Sequence, residues 1–200
     1  MRIGAVVAAA GLSSRMGAFK PLLDLDGETL IRCGVNTLLR VGADPLVVVT
    51  GRGAAQIAAH LSDLPVETVH NPDYAESQML DSIKLGLSAL RDRVDRVLIL
   101  PGDAPVFSEA SVRLLLAREE DMCCPSFGGK KGHPVSIRAS LIPKILAYTG
   151  EGGLAGAMKS LGTLTLVETD DAGILLDADT PEDYAKMLSY VRETKCARST

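Results

Sequence analysis

Three groups of residues carry the side chains for chemistry on a polyphosphate. In the first, Gly11 and Gly17 bracket Arg15, and Lys20 follows five residues after the arginine. Glycines let a chain turn sharply and bring backbone N–H groups against an anion, and two cations at this spacing can hold a triphosphate at two points. The second group is Asp103, set between Gly102 and Ala104-Pro105 directly after an apolar run. A carboxylate there suits Mg2+, which takes one or two carboxylates and fills its shell with phosphate oxygens and water. The third is Asp177 with Asp179, the latter just before Thr180. At one edge of a sheet, the three groups fit metal-assisted transfer of a nucleotidyl group, in which the protein positions reactants and neutralises charge. Singly, each has an ordinary structural use: a turn with two surface cations, a helix-capping aspartate, a turn-fixing aspartate.

The spacing excludes better-known phosphate loops. A dinucleotide fingerprint needs G-x-G-x-x-G, but Leu12 and Ser13 follow Gly11 directly. A Walker loop needs four residues between its glycines and then Lys with Ser or Thr. Here five intervene, and Lys20 is followed by Pro21. Nor is there a Ser-His-Asp or Cys-His arrangement for nucleophilic catalysis.

The elements that must position these groups alternate along the chain. Apolar runs from Ile3, at 46–49, at 66–70, at 97–100 and at 122–127 read as buried strands. Helical stripes lie between them: 28–41, stopped by Gly42; 54–61; a helix with Leu80, Ile83, Leu87 and Leu90 on one face; and one capped by Ser108. A glycine- and lysine-rich turn, 128–134, leads to an antiparallel strand at 135–137, and 141–148 is a helix with Pro143 in its first turn. The glycines of 150–156 predict a mobile or tightly turned connection; 164–168 and 174–176 predict short strands. Thr180-Pro181-Glu182-Asp183 starts a last helix, and the chain from Glu193 reads as a polar, frayed tail. The expected architecture is α/β: one domain over 1–192, a three-layer αβα sandwich with a mainly parallel, Rossmann-like sheet and an antiparallel hairpin insertion, followed by a tail at 193–200. Ligands of such sheets gather at the carboxyl ends of the strands, where the loops after Ala10 and Leu100 and around 177–179 would meet.

Composition narrows the function classes. The chain has 200 residues, is 46% hydrophobic and 23% charged, and carries a net charge of −4. That balance is globular and offers no basic face to nucleic acid. No apolar run approaches the roughly 20 residues of a membrane span, and the first apolar run passes too soon into the charged loop to be a signal peptide. Cys33, Cys123, Cys124 and Cys196 form no C-x-x-C pair and read as small hydrophobes in a reducing cytoplasm.

Ala9-Ala10-Gly11-Leu12-Ser13-Ser14-Arg15-Met16-Gly17 with Lys20 resembles the signature of the nucleotidyltransferases of glycosyltransferase-A-like fold. Pro101-Gly102-Asp103-Ala104-Pro105, Gly132-His133-Pro134 and Asp177-Ala178-Asp179-Thr180-Pro181-Glu182-Asp183 resemble further motifs of one branch, the MobA-like NTP transferases that include molybdenum cofactor cytidylyl- and guanylyltransferases. The resemblance implies transfer of an NMP from an NTP to a molybdopterin-type phosphate, with Mg2+ and release of pyrophosphate. It further implies nucleotide binding by Ala9, Ala10, Gly11, Leu12 and Ser13, with Asn71, Ser77 and Ser82 beside the base and ribose. Arg15, Lys20 and Asp103 would be catalytic, Asp103 and Asp179 would hold the metal, and His133 would contact the acceptor. Ala9-Ala10-Gly11-Leu12 is closer to the cytidylyl than to the guanylyl wording, so CTP is expected over GTP. Two alternatives remain: transfer to a sugar phosphate or other small phosphate, and a carrier that binds nucleotide or cofactor and delivers it to molybdenum enzymes by transient contact.

Overall fold

The computed structural model describes residues 1–11 and 18–198. Arg15, with Leu12 and Ser13 of the expected phosphate loop, lies outside the described residues. An eight-stranded mixed sheet forms the middle layer. Its first four strands are β1 (Ile3–Ala9), β2 (Leu46–Thr50), β3 (Glu67–His70) and β4 (Arg96–Pro101); the others are β5 (Met122–Phe127), β6 (Lys130–Lys131), β7 (Val135–Arg138) and β8 (Thr165–Glu168). Spatial order is β3-β2-β1-β4-β7-β5-β6, with β8 beside β5. The first four strands are mutually parallel, with Val6 paired to both Val47 and Ile99. Such strands need crossovers, and the helices α1 (Leu30–Arg40), α2 (Ala54–His60) and α3 (Met79–Leu90) supply them.

Alternate strand residues feed two cores, as the period-two pleat requires. Val6, Val47, Val49 and Ile99 pack with Ile83 and Leu87 of α3, and with Ile142 and Ile145 of α5 (Ile142–Ala147) and Met158 of α6 (Gly153–Leu161). Ala5, Val7, Val48 and Leu100 pack on the other face with Val35 and Leu38 of α1, Ile57 of α2 and Val112 of α4 (Glu109–Leu116). These are the three layers expected. A third cluster, Leu25, Leu30, Ala178 and Met187, lies beneath α7 (Pro181–Arg198).

Four expectations change. β7 is antiparallel as expected, but it enters the sheet between β4 and β5 and pairs with both, so the insertion is internal. The glycine-rich connection contains α6: Gly152 and Gly153 take positive φ at its start, and Leu154, Ala157 and Met158 then recur at helical spacing. The stretch 174–176 is no strand, because Asp171 accepts from Gly173 N at 3.0 Å and winds Ala172–Leu175 into a 3-10 turn. The polar tail is helical through Arg198, held where Lys195 meets Asp26 at 2.7 Å and Arg192 meets it at 3.5 Å.

Candidate active site

The carboxyl ends of β1 and β4 and the turn before α3 meet at one cleft, to which the loop before α7 is joined through Lys20. Ala8, Ala9, Ala10 and Gly11 form one side, Tyr74, Ser77, Gln78, Met79 and Ser82 another, and Lys20 with Gly102 and Asp103 complete the lining. Close backbone approach makes this geometry. Gly102 N donates to Ala8 O at 2.9 Å, and a Cβ on Gly102 would stand 3.0 Å from that oxygen and 3.1 Å from the Ala9 Cβ. Glycine is therefore what lets Asp103 sit against the end of β1. Gly51 does the same on the other side: a Cβ there would lie 2.5 Å from Ala10 O and 2.6 Å from the Tyr74 Cβ.

Lys20 opens a short 3-10 turn, Lys20–Leu22, with Pro21 inside it. The preceding Phe19 ring lies against Gly53, where a Cβ would come within 2.5 Å of Phe19 Cζ. Lys20 Nζ reaches Asp179 Oδ1 at 3.0 Å and Asp103 Oδ2 at 3.4 Å. The Lys20 side chain is 13% exposed, against 25% for Asp103 and 52% for Asp179, so the lysine is the more sheltered partner. Ala178 N donates to Asp103 O at 2.9 Å, which ties the two acidic loops through backbone. Thr180 accepts from Asp183 N at 3.2 Å and caps α7 as its sequence requires. Burial, followed by the negative charges of Asp179, Asp103 and Asp183, raises the Asp177 carboxyl above its usual range. Three aspartates thus share one edge, although among the described residues no group of three His, Cys, Asp or Glu side chains is disposed to hold a metal ion.

Asn71 is buried below the cleft. Its amide donates to Ser77 Oγ and Ser82 Oγ, both at 2.9 Å, while Asp73 N donates to its carbonyl at 3.0 Å. Asn71 therefore aligns the two serines that line the cleft. Gln78 and Asp81 close a capping box at the start of α3, with Gln78 N donating to Asp81 Oδ2 at 2.8 Å. His133 stands apart from the cleft lining. Burial holds its imidazole below the usual histidine range, opposed by the charge of Asp103. Its Nδ1 is buried and has no hydrogen-bond partner among the described residues. Lys130 and Lys131 form exposed β6 and do not line the cleft. Of the remaining histidines, His60 Nε2 is 2.7 Å from Thr29 Oγ1, and His70 packs a tilted ring on Tyr74. Cys33 and Cys124 are pushed up to about 11 by burial, which fits inert thiols.

Among the described residues, the structure thus brings Ala9, Ala10, Gly11, Lys20, Ser77, Ser82 and Asp103 to one cleft, with Asp179 joined through Lys20 and Asn71 behind the serines. Sequence reasoning missed Tyr74 and left Gln78 and Met79 without a role. The available signal for Tyr74 was an aromatic just after the Asn71-Pro72-Asp73 breaker, in a chain only 4% aromatic.

Comparison with known proteins gives the family. Residues 5–166 match the MobA-like NTP transferase domain. Molybdenum cofactor cytidylyltransferase of Escherichia coli is 28% identical over 184 residues, covering 91% of this chain and 93% of the relative. Purine catabolism protein PucB of Bacillus subtilis is 30% identical over 189 residues, covering 90% and 92%. A nucleotidyl transferase structure from Methanothermobacter superposes with a TM-score of 0.83 at 27% identity, covering 96% of this chain and 99% of the other. No helix among the described residues is long and apolar enough to cross a membrane. The chain belongs to the MobA-like NTP transferase family and is a nucleotidyltransferase.

Proposed function

We propose that the chain transfers an NMP, CMP in preference, from an NTP to the terminal phosphate of a molybdopterin-type acceptor and releases pyrophosphate. The observation that carries this reading is the Lys20 ammonium held between Asp103 and Asp179 at the mouth of the cleft. Two carboxylates converging on one cationic point are the donor set Mg2+ accepts when phosphates and water complete its shell. The residues present therefore fit the ion at Asp103 and Asp179, where it would neutralise the triphosphate and polarise the reacting phosphorus. Lys20, with Arg15, neutralises charge as pyrophosphate leaves. The Ala9–Gly11 end of β1 presents backbone to the phosphates, and Ser77 and Ser82, aligned by Asn71, border the nucleotide. The acceptor phosphate is ionised at neutral pH, so its oxygen attacks the α-phosphorus without a general base; one P–O bond forms as the bond to pyrophosphate breaks. The relative named as a molybdenum cofactor cytidylyltransferase supports the acceptor and base. Leu12, where guanylyl relatives carry a second glycine, supports a narrower base pocket.

The test is pyrophosphate release with each NTP and molybdopterin in the presence of Mg2+. CTP is expected to be used best; equal use of GTP overturns the base preference. Nucleotide binding, read by thermal shift, without pyrophosphate release from any NTP overturns the transfer reading in favour of the carrier that delivers cofactor to molybdenum enzymes.

A further inference from the structure

Lys20 Nζ stands between two carboxylates far from it in sequence, 3.0 Å from Asp179 Oδ1 and 3.4 Å from Asp103 Oδ2. Packed and hydrogen-bonded backbone carries all three. Leu23 N donates to Lys20 O at 3.0 Å, Pro21 is buried, and the Phe19 ring lies against Gly53. Ala104 N donates to Pro101 O at 3.2 Å, and Ala178 N ties the loop of Asp179 to Asp103 O at 2.9 Å. The part with freedom to move is the lysine stem, four carbons long with a choice of staggered rotamers. Lys20 also lines the cleft beside Ala9, Ala10 and Gly11, so its ammonium has the acidic edge on one side and the cleft on the other.

Charge decides what that edge can hold. Asp103 and Asp179 bring two negative charges and Lys20 returns one positive, so the pair is already half neutralised. A divalent cation placed between the same carboxylates would meet the ammonium at contact distance, and like charges that close repel strongly where water is scarce. Two carboxylates are also too few ligands for octahedral Mg2+, which completes its shell with substrate phosphates and water. Among the described residues no third acidic, histidine or cysteine side chain joins them in a metal-holding group. Cation and ammonium therefore compete for one place. A lysine side chain only 13% exposed, once displaced, needs another anion to meet. A triphosphate in the cleft is such an anion.

We propose that Lys20 is a tethered counter-ion that closes the acidic edge to divalent cations until a nucleotide arrives. The triphosphate draws the ammonium off Asp103 and Asp179, and the two carboxylates then take the cation that the nucleotide carries. The inference rests on the nucleotidyl-transfer reading and adds the order in which its site is loaded. It gives one side chain two effects of opposite sign. Lys20 opposes the metal while the cleft is empty and favours the nucleotide as the cleft fills. A lysine that only braced the fold would weaken both ligands when removed.

The first probe is Mn2+ alone, its free fraction read from the EPR spectrum of the aqueous ion; the second is metal-free CTP, titrated in EDTA. Lys20→Met keeps the stem and removes the charge. Lys130→Met removes an exposed cation that does not line the cleft. Mn2+ is expected to bind Lys20→Met about tenfold more tightly than wild type, within the usual span of a coupling between ligands. That gain should disappear when Asp103→Asn is added. Metal-free CTP is expected to bind Lys20→Met about tenfold more weakly, a coupling of the same scale. Lys130→Met should leave both affinities within about twofold, since an exposed charge at a distance is screened. Should Lys20→Met lose its cooperative melting, Lys20→Gln, uncharged but able to bond the carboxylates, takes its place. Equal Mn2+ affinity in wild type and Lys20→Met overturns the inference. So does a gain that survives Asp103→Asn, or a Lys20 variant that weakens Mn2+ and CTP together. Opposite signs as expected, with no pyrophosphate release from any NTP, sustain the ion exchange and overturn only the transfer reading. Pyrophosphate release with equal Mn2+ affinities does the reverse.

Discussion

From β3 to β4 the sheet is parallel, its strands are joined by helical crossovers, and the loops at its carboxyl edge carry charge and bare backbone: Ala10, Gly11, Lys20, Asp103. From β7 to β8 it is mixed, the spatial order departs from the chain order, and the wall it helps to build is mostly apolar. On the proposed reading the parallel half would handle phosphate charge, where fixed dipoles act on developing charge without reorganising. The mixed half helps to bound a mostly apolar cavity beside that cleft. If the two halves divide the work in this way, substitutions in them are expected to register in different kinetic constants.

The largest effect tests the charged half. Asp103→Ala is expected to lower kcat by about 10²–10³-fold, the scale of losing one electrostatic group in a preorganised site. Its melting temperature is expected to change little, because the one side-chain ion pair it makes among the described residues, to Lys20, is long at 3.4 Å. A collapse in melting temperature would mark Asp103 as structural and break the comparison. A smaller loss is expected from Gly102→Ala, whose Cβ would press on Ala8 O and the Ala9 Cβ. The displacement moves Asp103 rather than deleting it, so kcat is expected to fall about tenfold, a fraction of the roughly hundredfold cost of ångström-scale misplacement. Acceptor KM should hold; a change confined to acceptor KM would show that the two halves are not separable.

Asn71→Ala probes the ground beneath the cleft. It removes the donor to Ser77 and Ser82 and leaves Asp73 N without its side-chain acceptor. Leaving this partly buried set unsatisfied costs about 1–3 kcal/mol, which for a domain of this size lowers the melting temperature by roughly 2–10 °C. NTP KM is expected to rise only a few-fold. Large loss of nucleotide binding at unchanged melting temperature would make Asn71 a direct ligand instead of the residue that aligns two serines.

The same division explains what was legible in the sequence. In the parallel half, strand, glycine turn and helix follow one another within short windows, and Val6-Val7, Val47-Val48 and Leu98-Ile99 announce strands buried on both faces. The pairing of Asp103 with Lys20 spans 83 residues, yet both ends sit at recognisable strand and turn boundaries. The mixed half depends on distant partners. β7 pairs with β4 and β5 at once, which its four residues do not encode. The 3-10 turn at Ala172–Leu175 needs the Asp171 side chain, and α6 hides behind glycines that read as a loop. The cavity between α3 and α6 was invisible for the same reason: no single segment carries it.

The smallest expected effect concerns Asp177, the third aspartate of the acidic edge. Burial, with the charges of Asp179, Asp103 and Asp183, raises its carboxyl above the ordinary 3.8. The folded chain therefore holds that proton more tightly than the unfolded chain. The stabilisation is fully present below the unfolded value and is lost as pH rises through the raised folded one. At neutral pH the carboxylate is a net repulsion. Asp177→Asn fixes the neutral shape and is expected to raise the melting temperature at pH 7 by about 1–3 °C, with the gain vanishing toward pH 3.5. Asp177 does not line the cleft, so turnover should stay within about twofold, well inside the scale of a lost electrostatic contact. Melting curves at the two pH values, with kcat at pH 7, decide the point. A stabilised variant with normal turnover leaves Asp103 and Asp179 as the working pair. A stabilised variant with collapsed turnover means that the charged half uses a third carboxylate, and that the repulsion it tolerates serves the reaction.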